Sequence, residues 1–209
     1  IAGQKAINYK MKNAFTSIIT LYQANLEIFK HFYFKKFNKK PTSKKVREYL
    51  KFRPEEADIK EFIEYLNIFW DYFSQNLKVI IKYLNKKSEY ANEFRNKDGG
   101  NLLFRPIGLI PFITATIKIK ERLDISYEKI FKRMNNLNLD IATYTWINIV
   151  WDSKNKKMLM NAKKLTELII VYLYDKSILN YKEIDYLVSN YAAKKSLEGS
   201  ENDILEKIK

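Results

Sequence analysis

A run of cations between residues 35 and 53 is the part of the sequence best suited to bind a ligand. Its nineteen residues contain nine basic side chains and a single acid, Glu48. The basic residues are Lys35, Lys36, Lys39, Lys40, Lys44, Lys45, Arg47, Lys51 and Arg53. Several flexible cations of this kind suit the phosphates spaced along a nucleic-acid backbone, and the nearby Tyr33, Phe34 and Tyr49 could stack on bases. The alternative is a solvated surface whose lysines favour the negative end of the preceding helix.

Arg105 is a further candidate for contact with phosphate. It lies between Phe104 and Pro106, inside the most apolar turn of the chain. A guanidinium in such a place must find carboxylates, the carbonyls of a helix end or the anion of a ligand. We expect Arg105 to tie helix ends or pair with an acid, and we include it among the predicted nucleic-acid contacts because the alternative is a phosphate contact. Exposure to solvent is the third alternative.

Asp140 and the segment Asp152-Ser-Lys154 carry residue types that metal-dependent nucleases use. In those enzymes a strand ends in Asp-x-Lys, a second acid lies upstream, the two acids bind Mg²⁺ and the lysine steadies the attacking water. Residues 147–151 would have to be that strand, yet the rest of the sequence predicts no sheet for it to join. The alternative is a surface turn after a buried element that contains tryptophan, so we treat a nuclease as a minor alternative.

Other kinds of chemistry lack the residues they need. The chain has no cysteine, which excludes disulfides and thiolate zinc sites. His31 is the only histidine and is expected on a helix surface or half-buried, and neither a P-loop nor a G-x-G-x-x-G motif is present. The acids between residues 55 and 64 lie on one predicted helix, which cannot form a cage alone. The sequence therefore predicts no catalytic residue, no metal site and no cofactor.

Helices must position the basic run, because apolar residues recur at three- and four-residue steps along most of the chain. Pro41 ends the first helix, and Thr42 or Ser43 can cap the next. The predicted helices run from 11 to 37, from a cap at 42 or 43 to about 51, from 54 to about 85, from 106 or 107 to 123, from a cap at 126 to about 135, from a cap at 161 to about 175 and from a cap at 180 to about 195.

The stretch Asp98–Phe112 divides these helices into two groups. It holds three of the five glycines and two of the four prolines, yet it is too apolar for an open loop. We expect it to enter the core after a polar loop over residues 86–101, which should be the most mobile internal segment. The residues predicted to be buried are Trp70, Phe73, Leu77, Phe104, Ile107, Ile110, Trp146 and Leu168.

The fold predicted from these patterns is all-α, in a single multi-helix domain that spans residues 1–209. About six to eight helices should form two packed halves. The halves cover about 11–87 and 102–195, followed by a polar C-terminal tail over 196–209. A small strand pair near residues 143–160 is the exception we expect, because that segment is rich in β-branched and aromatic residues.

Charge and composition favour a basic helical domain. The net charge of +14 attracts polyanions such as nucleic acid. The alternative is that the charge reflects solubility and an A/T-rich genome, which encodes many Lys, Asn, Ile and Tyr codons. No apolar run has the length of a membrane span, and no signal peptide is visible. We therefore expect a cytoplasmic protein without a membrane partner, and since the chain begins with Ile1 we expect a fragment or a trimmed chain.

Two segments resemble a known bacterial family. The sequence GGNLLFRPIGL over Gly99–Leu109 resembles a segment near the C-terminus of DGQHR-domain proteins, which include the DndB-like proteins. Trp146–Lys154, followed by Met158 and a terminal helix, resembles the companion segment. The resemblance covers residues 60–175, but the Asp-Gly-Gln-His-Arg motif itself is absent, because Asp98-Gly99 continues as Gly-Asn-Leu. It implies the helical C-terminal part of a protein that accompanies DNA phosphorothioation systems, in a family where some members regulate transcription.

Charge and resemblance together predict a non-enzymatic helical domain of a DNA-modification-associated protein. Its basic face would contact DNA or a DNA-bound complex. The alternative is a helical protein–protein interaction or dimerisation module, whose charge is only compositional. The partners to be tested are therefore DNA, another protein and a second copy of the chain.

Overall fold

The computed structural model describes residues 7–52, 54–86 and 90–208. Within those residues the chain forms ten α-helices and one pair of two-residue strands. The helices are α1 Ile18–Phe37, α2 Ser43–Lys51, α3 Glu56–Asn76, α4 Lys78–Asn85, α5 Ala91–Phe94, α6 Pro106–Leu123, α7 Tyr127–Met134, α8 Lys163–Tyr174, α9 Tyr181–Lys195 and α10 Glu201–Leu205. Short 3-10 turns cover Leu102–Phe104 and Lys176–Ile178. The strands are β1 Trp151–Asp152 and β2 Lys157–Met158.

The predicted all-α class and the small strand pair are both confirmed. The two strands are antiparallel, with Trp151 opposite Met158 and Asp152 opposite Lys157. The first part of the segment expected to hold the strands, residues 143–150, forms bends and turns, with an isolated parallel bridge between Ile147 and Trp151. No helix of the described residues is long and apolar enough to cross a membrane.

Helix α6 is the centre of the fold, and it packs against α1, α7 and α8. It is apolar nearly all round, which is the pattern of a helix enclosed by others. Pro106 occupies its first turn, where the missing N–H costs nothing. Gly108 is needed for close packing, because a Cβ there would lie 2.1 Å from the carbonyl oxygen of Leu102.

The predicted helix over residues 54–85 is divided into α3 and α4. Leu77 between them is extended, with ψ of 110°. The side chain of Asn135 supports the break: its Oδ1 accepts from the Lys78 N–H at 2.9 Å, and its Nδ2 donates to the Asn76 carbonyl at 2.8 Å. A side chain distant in sequence thus satisfies the backbone groups that a continuous helix would have paired.

The segment predicted as a mobile loop, residues 86–101, is largely built into the fold. It contains α5 and a fully buried cation, Arg95. Arg95 donates hydrogen bonds to the carbonyls of Met11 at 3.1 Å, Ala14 at 2.9 Å and Phe15 at 3.0 Å. These contacts hold residues 11–15 outside α1, which begins at Ile18 after the Ser17 cap. Residues 87–89 of the predicted loop lie outside the described residues.

The predicted core is largely confirmed. Seven of its eight residues are buried, namely Phe73, Leu77, Phe104, Ile107, Ile110, Trp146 and Leu168. Trp70 is only partly buried, and its indole N–H donates to the Asn25 side chain at 2.9 Å. One continuous cluster contains residues from both predicted halves. The predicted polar tail also contributes to it, since α10 buries Ile204 and the following turn buries Ile208.

Candidate nucleic-acid interface

The basic run is organised by the way α2 folds back on the end of α1. Asn38 adopts a left-handed conformation that ends α1, and the Thr42 hydroxyl caps α2 by accepting from the Lys45 N–H at 3.2 Å. An aromatic cluster holds the two helices together, with Phe29 and Tyr49 ring centroids 5.1 Å apart and Val46 buried beside them. The predicted turn and cap are therefore both present.

Because Val46 and Tyr49 face inward, the other sides of α2 present cations to solvent. Eight of the predicted basic residues are exposed, and we call all of them except Lys36 the basic surface: Lys35, Lys39, Lys40, Lys44, Lys45, Arg47 and Lys51. Lys44 forms a long ion pair of 3.8 Å with Glu48. The other six form no salt bridge within the part of the chain that the structure describes. Arg53 lies outside that part.

Lys36 does not belong to the basic surface, although it is part of the basic run over residues 35–53. Its Nζ lies 2.6 Å from Asp58 Oδ1 and also contacts Glu61, both on the first turns of α3. The hydrogen bonds that Lys36 donates to Asp58 and Glu61 raise its pKa well above the usual value. The acidic start of α3 thus neutralises this lysine, a pairing that depends on how α1 and α3 pack and is not visible in the sequence.

Arg105 also leaves the predicted set, because it is 8% exposed and its guanidinium serves the backbone. Its Nη2 donates to the carbonyl oxygens of Asn96 at 2.8 Å and Gly99 at 2.7 Å. The guanidinium carbon also lies 5.9 Å from the ring centroid of Trp151. Burial, with the nearby charge of Arg95, lowers the pKa of Arg105 to about 10. These contacts give Arg105 a structural role, which is the role that the sequence favoured.

Of the three aromatic residues predicted to stack on bases, Phe34 is half-buried beside the basic surface, whereas Tyr33 and Tyr49 pack inward. Tyr33 is 8% exposed and contributes to the cluster between α1 and α2, with Tyr49 half-buried at its edge. Phe37 and Phe52 are instead 46% and 75% exposed, at the ends of α1 and α2. Their exposure could have been predicted from the sequence, because both lie among lysines at predicted helix ends, where side chains extend beyond the packed face.

The residues of the nuclease pattern do not have the strand that it requires. Ile147 makes an isolated bridge to Trp151, residues 148–150 form turns, and β1 includes only Trp151–Asp152. The Asp152 carboxylate closes the hairpin turn, accepting from the backbone N–H of Asn155 at 2.9 Å and from its side chain at 2.7 Å. Asp140 accepts from the Ala142 N–H at 3.0 Å. Among the described residues, no group of three or more His, Asp or Glu side chains is placed to hold a metal ion.

His31 is buried, contrary to the expectation of a surface or half-buried residue. Its Nδ1 lies 2.6 Å from the Tyr65 hydroxyl, and its Nε2 lies 3.8 Å from a carboxylate oxygen of Glu121. Burial, aided by the charges of Lys35 and Lys120, lowers the pKa of His31 to about 4. The imidazole is therefore neutral at physiological pH and can donate or accept hydrogen bonds without carrying charge.

The chain was compared with protein-family models, with curated proteins and with solved structures, and none of these comparisons found a match.

Proposed function

We propose that this chain is a non-enzymatic domain that binds nucleic acid through the basic surface. The observation that carries the proposal is the set of exposed cations on the end of α1, the turn after it and α2. Six of them form no salt bridge in the described residues, so their charge is available to an external anion. Flexible lysines of this kind neutralise phosphates and release counterions, with little readout of base sequence.

The acids of α3 give the proposed interface a boundary. Asp58 and Glu61 already hold Lys36, and Glu55, Glu56 and Glu64 extend the acidic side of that helix. A phosphate backbone is repelled there and attracted by α2. The proposed path therefore follows the lysines of α2 and the turn before it, with Phe37 and Phe52 able to stack on exposed bases.

The proposed biological setting is a DNA-modification-associated protein. It comes from the resemblance of Gly99–Leu109 and Trp146–Lys154 to DGQHR-domain proteins. The neighbouring genes provide its test: genes for DNA phosphorothioation beside this one agree with the setting, and their absence from several related genomes contradicts it. The phosphate contacts of the basic surface do not depend on that outcome.

Charge reversal tests the proposed interface. We expect the variant with Lys39, Lys40, Lys44 and Lys45 changed to Glu to bind unrelated DNA sequences much more weakly than wild type. The salt dependence should also flatten, since each phosphate contact contributes a log–log slope of about −0.9 on duplex DNA. Binding titrations at several salt concentrations measure both effects.

A matched control reverses four exposed lysines elsewhere, Lys129, Lys154, Lys163 and Lys176, none of which forms a salt bridge in the described residues. The net charge of the two variants is the same. If both variants lose the same affinity, the binding is only diffuse attraction to a basic chain and the proposed interface is wrong.

A protein–protein module is the second candidate, and it is favoured by exposed apolar residues at the other end of α1. Ile18 and Tyr22 are 56% and 55% exposed, and Leu84 at the end of α4 is 50% exposed. Leu84 also lines a mostly apolar groove of about 320 Å³, whose walls include Leu21 at the start of α1 and Trp70 on α3. Light scattering on Ile18→Glu and on wild type across a concentration series tests self-association. A wild-type mass of a single chain at every concentration contradicts the dimerisation form of this alternative.

A further inference from the structure

A cavity of about 260 Å³ opens beside the basic surface, between the end of α1, the turn after it and α6. Its apolar walls include Phe34, Pro41 and Ile117, and Lys40 of the basic surface also lines it. Pockets for drug-sized ligands range from about 300 to 1,000 Å³. The cavity therefore suits a smaller, flat group that arrives along the basic surface.

The polar end of this cavity is formed by His31 and Glu121, which face each other across 3.8 Å. Nε2 of His31 is buried and has no hydrogen-bond partner among the described residues. An unpaired buried group of this kind is costly, and it is satisfied when a ligand supplies the missing partner. We assign the Tyr65 hydroxyl as the donor to Nδ1, so that the ring hydrogen lies on Nε2 and points toward the Glu121 carboxylate.

This pair offers a ligand one donor and one acceptor side by side. Nε2 is shielded from solvent, whereas the Glu121 side chain is 29% exposed and can rotate. When Glu121 rotates away from the ring, Nε2 is uncovered, and the edge of a ligand can then accept from Nε2 and donate to the Glu121 carboxylate. Unstacked nucleobases carry adjacent donors and acceptors on their edges and are held in this way, with a face against an aromatic ring.

The charges around the cavity favour a base over a phosphate inside it. Glu121 lines it and forms no salt bridge with a lysine or arginine among the described residues, so its carboxylate repels an anion. Lys30 is held by Glu27 at 2.7 Å, and Lys118 is held by Glu167 at 2.7 Å and by Glu183 at 2.6 Å. Lys40, in contrast, forms no salt bridge among the described residues and lies at the edge shared with the basic surface.

We infer that the cavity holds one unstacked nucleobase of a single-stranded nucleic acid, while Lys40 and its neighbours contact the adjoining phosphates. The base lies against Phe34, and its edge meets Nε2 of His31 and the carboxylate of Glu121. A paired base in a duplex cannot reach these groups, because its edge is occupied and its faces are stacked. This inference rests on the proposed function and narrows its ligand to single strands.

The experiment compares an oligothymidylate with a strand of the same length that has abasic sites in place of every base. Both strands carry the same phosphates, so the basic surface treats them alike. Fluorescence anisotropy titrations should show that the intact strand binds about tenfold more tightly, the scale of one stacked base. Equal affinity for the two strands overturns the inference and leaves the proposed interface standing. If neither strand binds, the proposed function fails as well.

Variants locate the preference in the cavity. Ile117→Trp fills the cavity and should reduce the affinity for the intact strand to that for the abasic strand, with Glu121→Gln giving a smaller loss in the same direction. Ile18→Trp is the matched control at the far end of α1, where Ile18 is 56% exposed, and it should keep the tenfold preference. Circular dichroism melts establish that each variant folds, and Phe34→Ala replaces Ile117→Trp if that variant does not.

A titration with thymidine 5′-monophosphate distinguishes a strand from a free nucleotide. The inference predicts that the nucleotide binds far more weakly, because it lacks the additional phosphates that the basic surface contacts. Equal affinity for the nucleotide and the strand would overturn the assignment of a strand. If Ile117→Trp still prefers the intact strand, the base lies elsewhere, for example on Phe52. That result would also overturn the inference that the cavity holds the base.

Discussion

The Tyr65 hydroxyl lies 2.6 Å from Nδ1 of His31, and the Tyr127 hydroxyl lies 3.4 Å from both atoms. Helices α1, α3 and α7 therefore meet at one buried hydrogen-bond network. Burial raises the pKa of Tyr65 and Tyr127 and lowers that of His31, so all three groups stay neutral at physiological pH. The network joins elements that are distant in sequence at the polar end of the cavity.

Stability should fall as the pH drops below the ordinary pKa of histidine, because the folded chain resists protonation of His31. The pKa of His31 is 6.5 when it is free and about 4 in the fold. The unfolded chain therefore binds more protons between these values, and the loss approaches about 3 kcal/mol at pH 4. The groups facing His31 are Tyr65, Tyr127, Glu121, Lys35 and Lys120.

Urea denaturation from pH 7 to pH 5 measures this loss, and His31→Gln should make the curve flatter over that interval. This pH range excludes the titration of Glu183. Burial alone would raise the pKa of Glu183, but hydrogen bonds from Arg122 and Lys118 lower it to about 2. Its contribution to stability is therefore lost only as the pH falls below 4.5. A variant with the same pH slope as wild type would show that His31 is not the titrating group.

Replacing Arg95 should destabilise the fold by at least about 3 kcal/mol, because several buried carbonyls would lose their donor together. The side chain is 1% exposed and joins Met11, Ala14 and Phe15 to the turn at Phe104. Arg95→Met removes the donors while keeping much of the apolar volume. Urea denaturation gives the loss, and limited proteolysis should show faster cleavage within residues 7–17.

Arg47→Met is the matched control for Arg95→Met, since Arg47 is exposed on α2 and forms no salt bridge in the described residues. We expect its free energy of unfolding to remain within about 0.5 kcal/mol of wild type. Similar losses in the two variants would mean that the buried network contributes nothing beyond the general effect of removing an arginine.

Truncation of Phe73 should create a cavity at the contact between α3, α6 and α7. Phe73 is 2% exposed, and its ring packs edge-on against Phe112 and Phe131. Phe73→Ala should therefore cost roughly 3–5 kcal/mol of unfolding free energy. Phe52→Ala, at a position 75% exposed, should cost about 0.5 kcal/mol or less. A loss below about 1 kcal/mol for Phe73→Ala would contradict the packing around α6.

Features set by neighbouring residues were predictable from the sequence. Thr42, Ser126 and Asn180 cap helices where the local pattern placed them, and the capping box at Asn180 forms with Glu183. The signals lie within three residues of each other, so no tertiary contact is needed to read them. The helix over Pro106–Leu123 was likewise predictable, because its proline and its apolar pattern agree. The cap predicted at Asn161 is wrong, because α8 begins after Ala162, which makes no side-chain capping bond.

Features set by distant partners were not predictable. Asn135 divides α3 from α4, Asp58 takes Lys36 out of the basic surface, and Arg95 holds residues 11–15 outside α1. In each case the polar partner comes from another element, and its position depends on how the helices pack. The cavity beside the basic surface is of the same kind, since α1 supplies His31 and α6 supplies Glu121.

Lys36 offers a way to strengthen the proposed interface by removing its acidic partners. In Asp58→Asn with Glu61→Gln, the Lys36 ammonium loses the two carboxylates that now hold it and becomes available to a phosphate. Nucleic-acid affinity should rise, and the log–log salt slope on duplex DNA should steepen by about 0.9 if Lys36 gains one phosphate. Titrations at several salt concentrations measure both quantities.

Two further variants show whether that gain comes from Lys36 itself. Glu198→Gln with Glu206→Gln removes the same charge from exposed positions near the C-terminus and should leave the salt slope nearly unchanged. Adding Lys36→Gln to the Asp58→Asn, Glu61→Gln variant should return the slope to the wild-type value, because the released cation is then absent. If the affinity and the salt slope still increase after Lys36 is removed, the cause is weaker repulsion of the phosphates by α3. The acids of α3, and not Lys36, would then set the boundary of the basic surface.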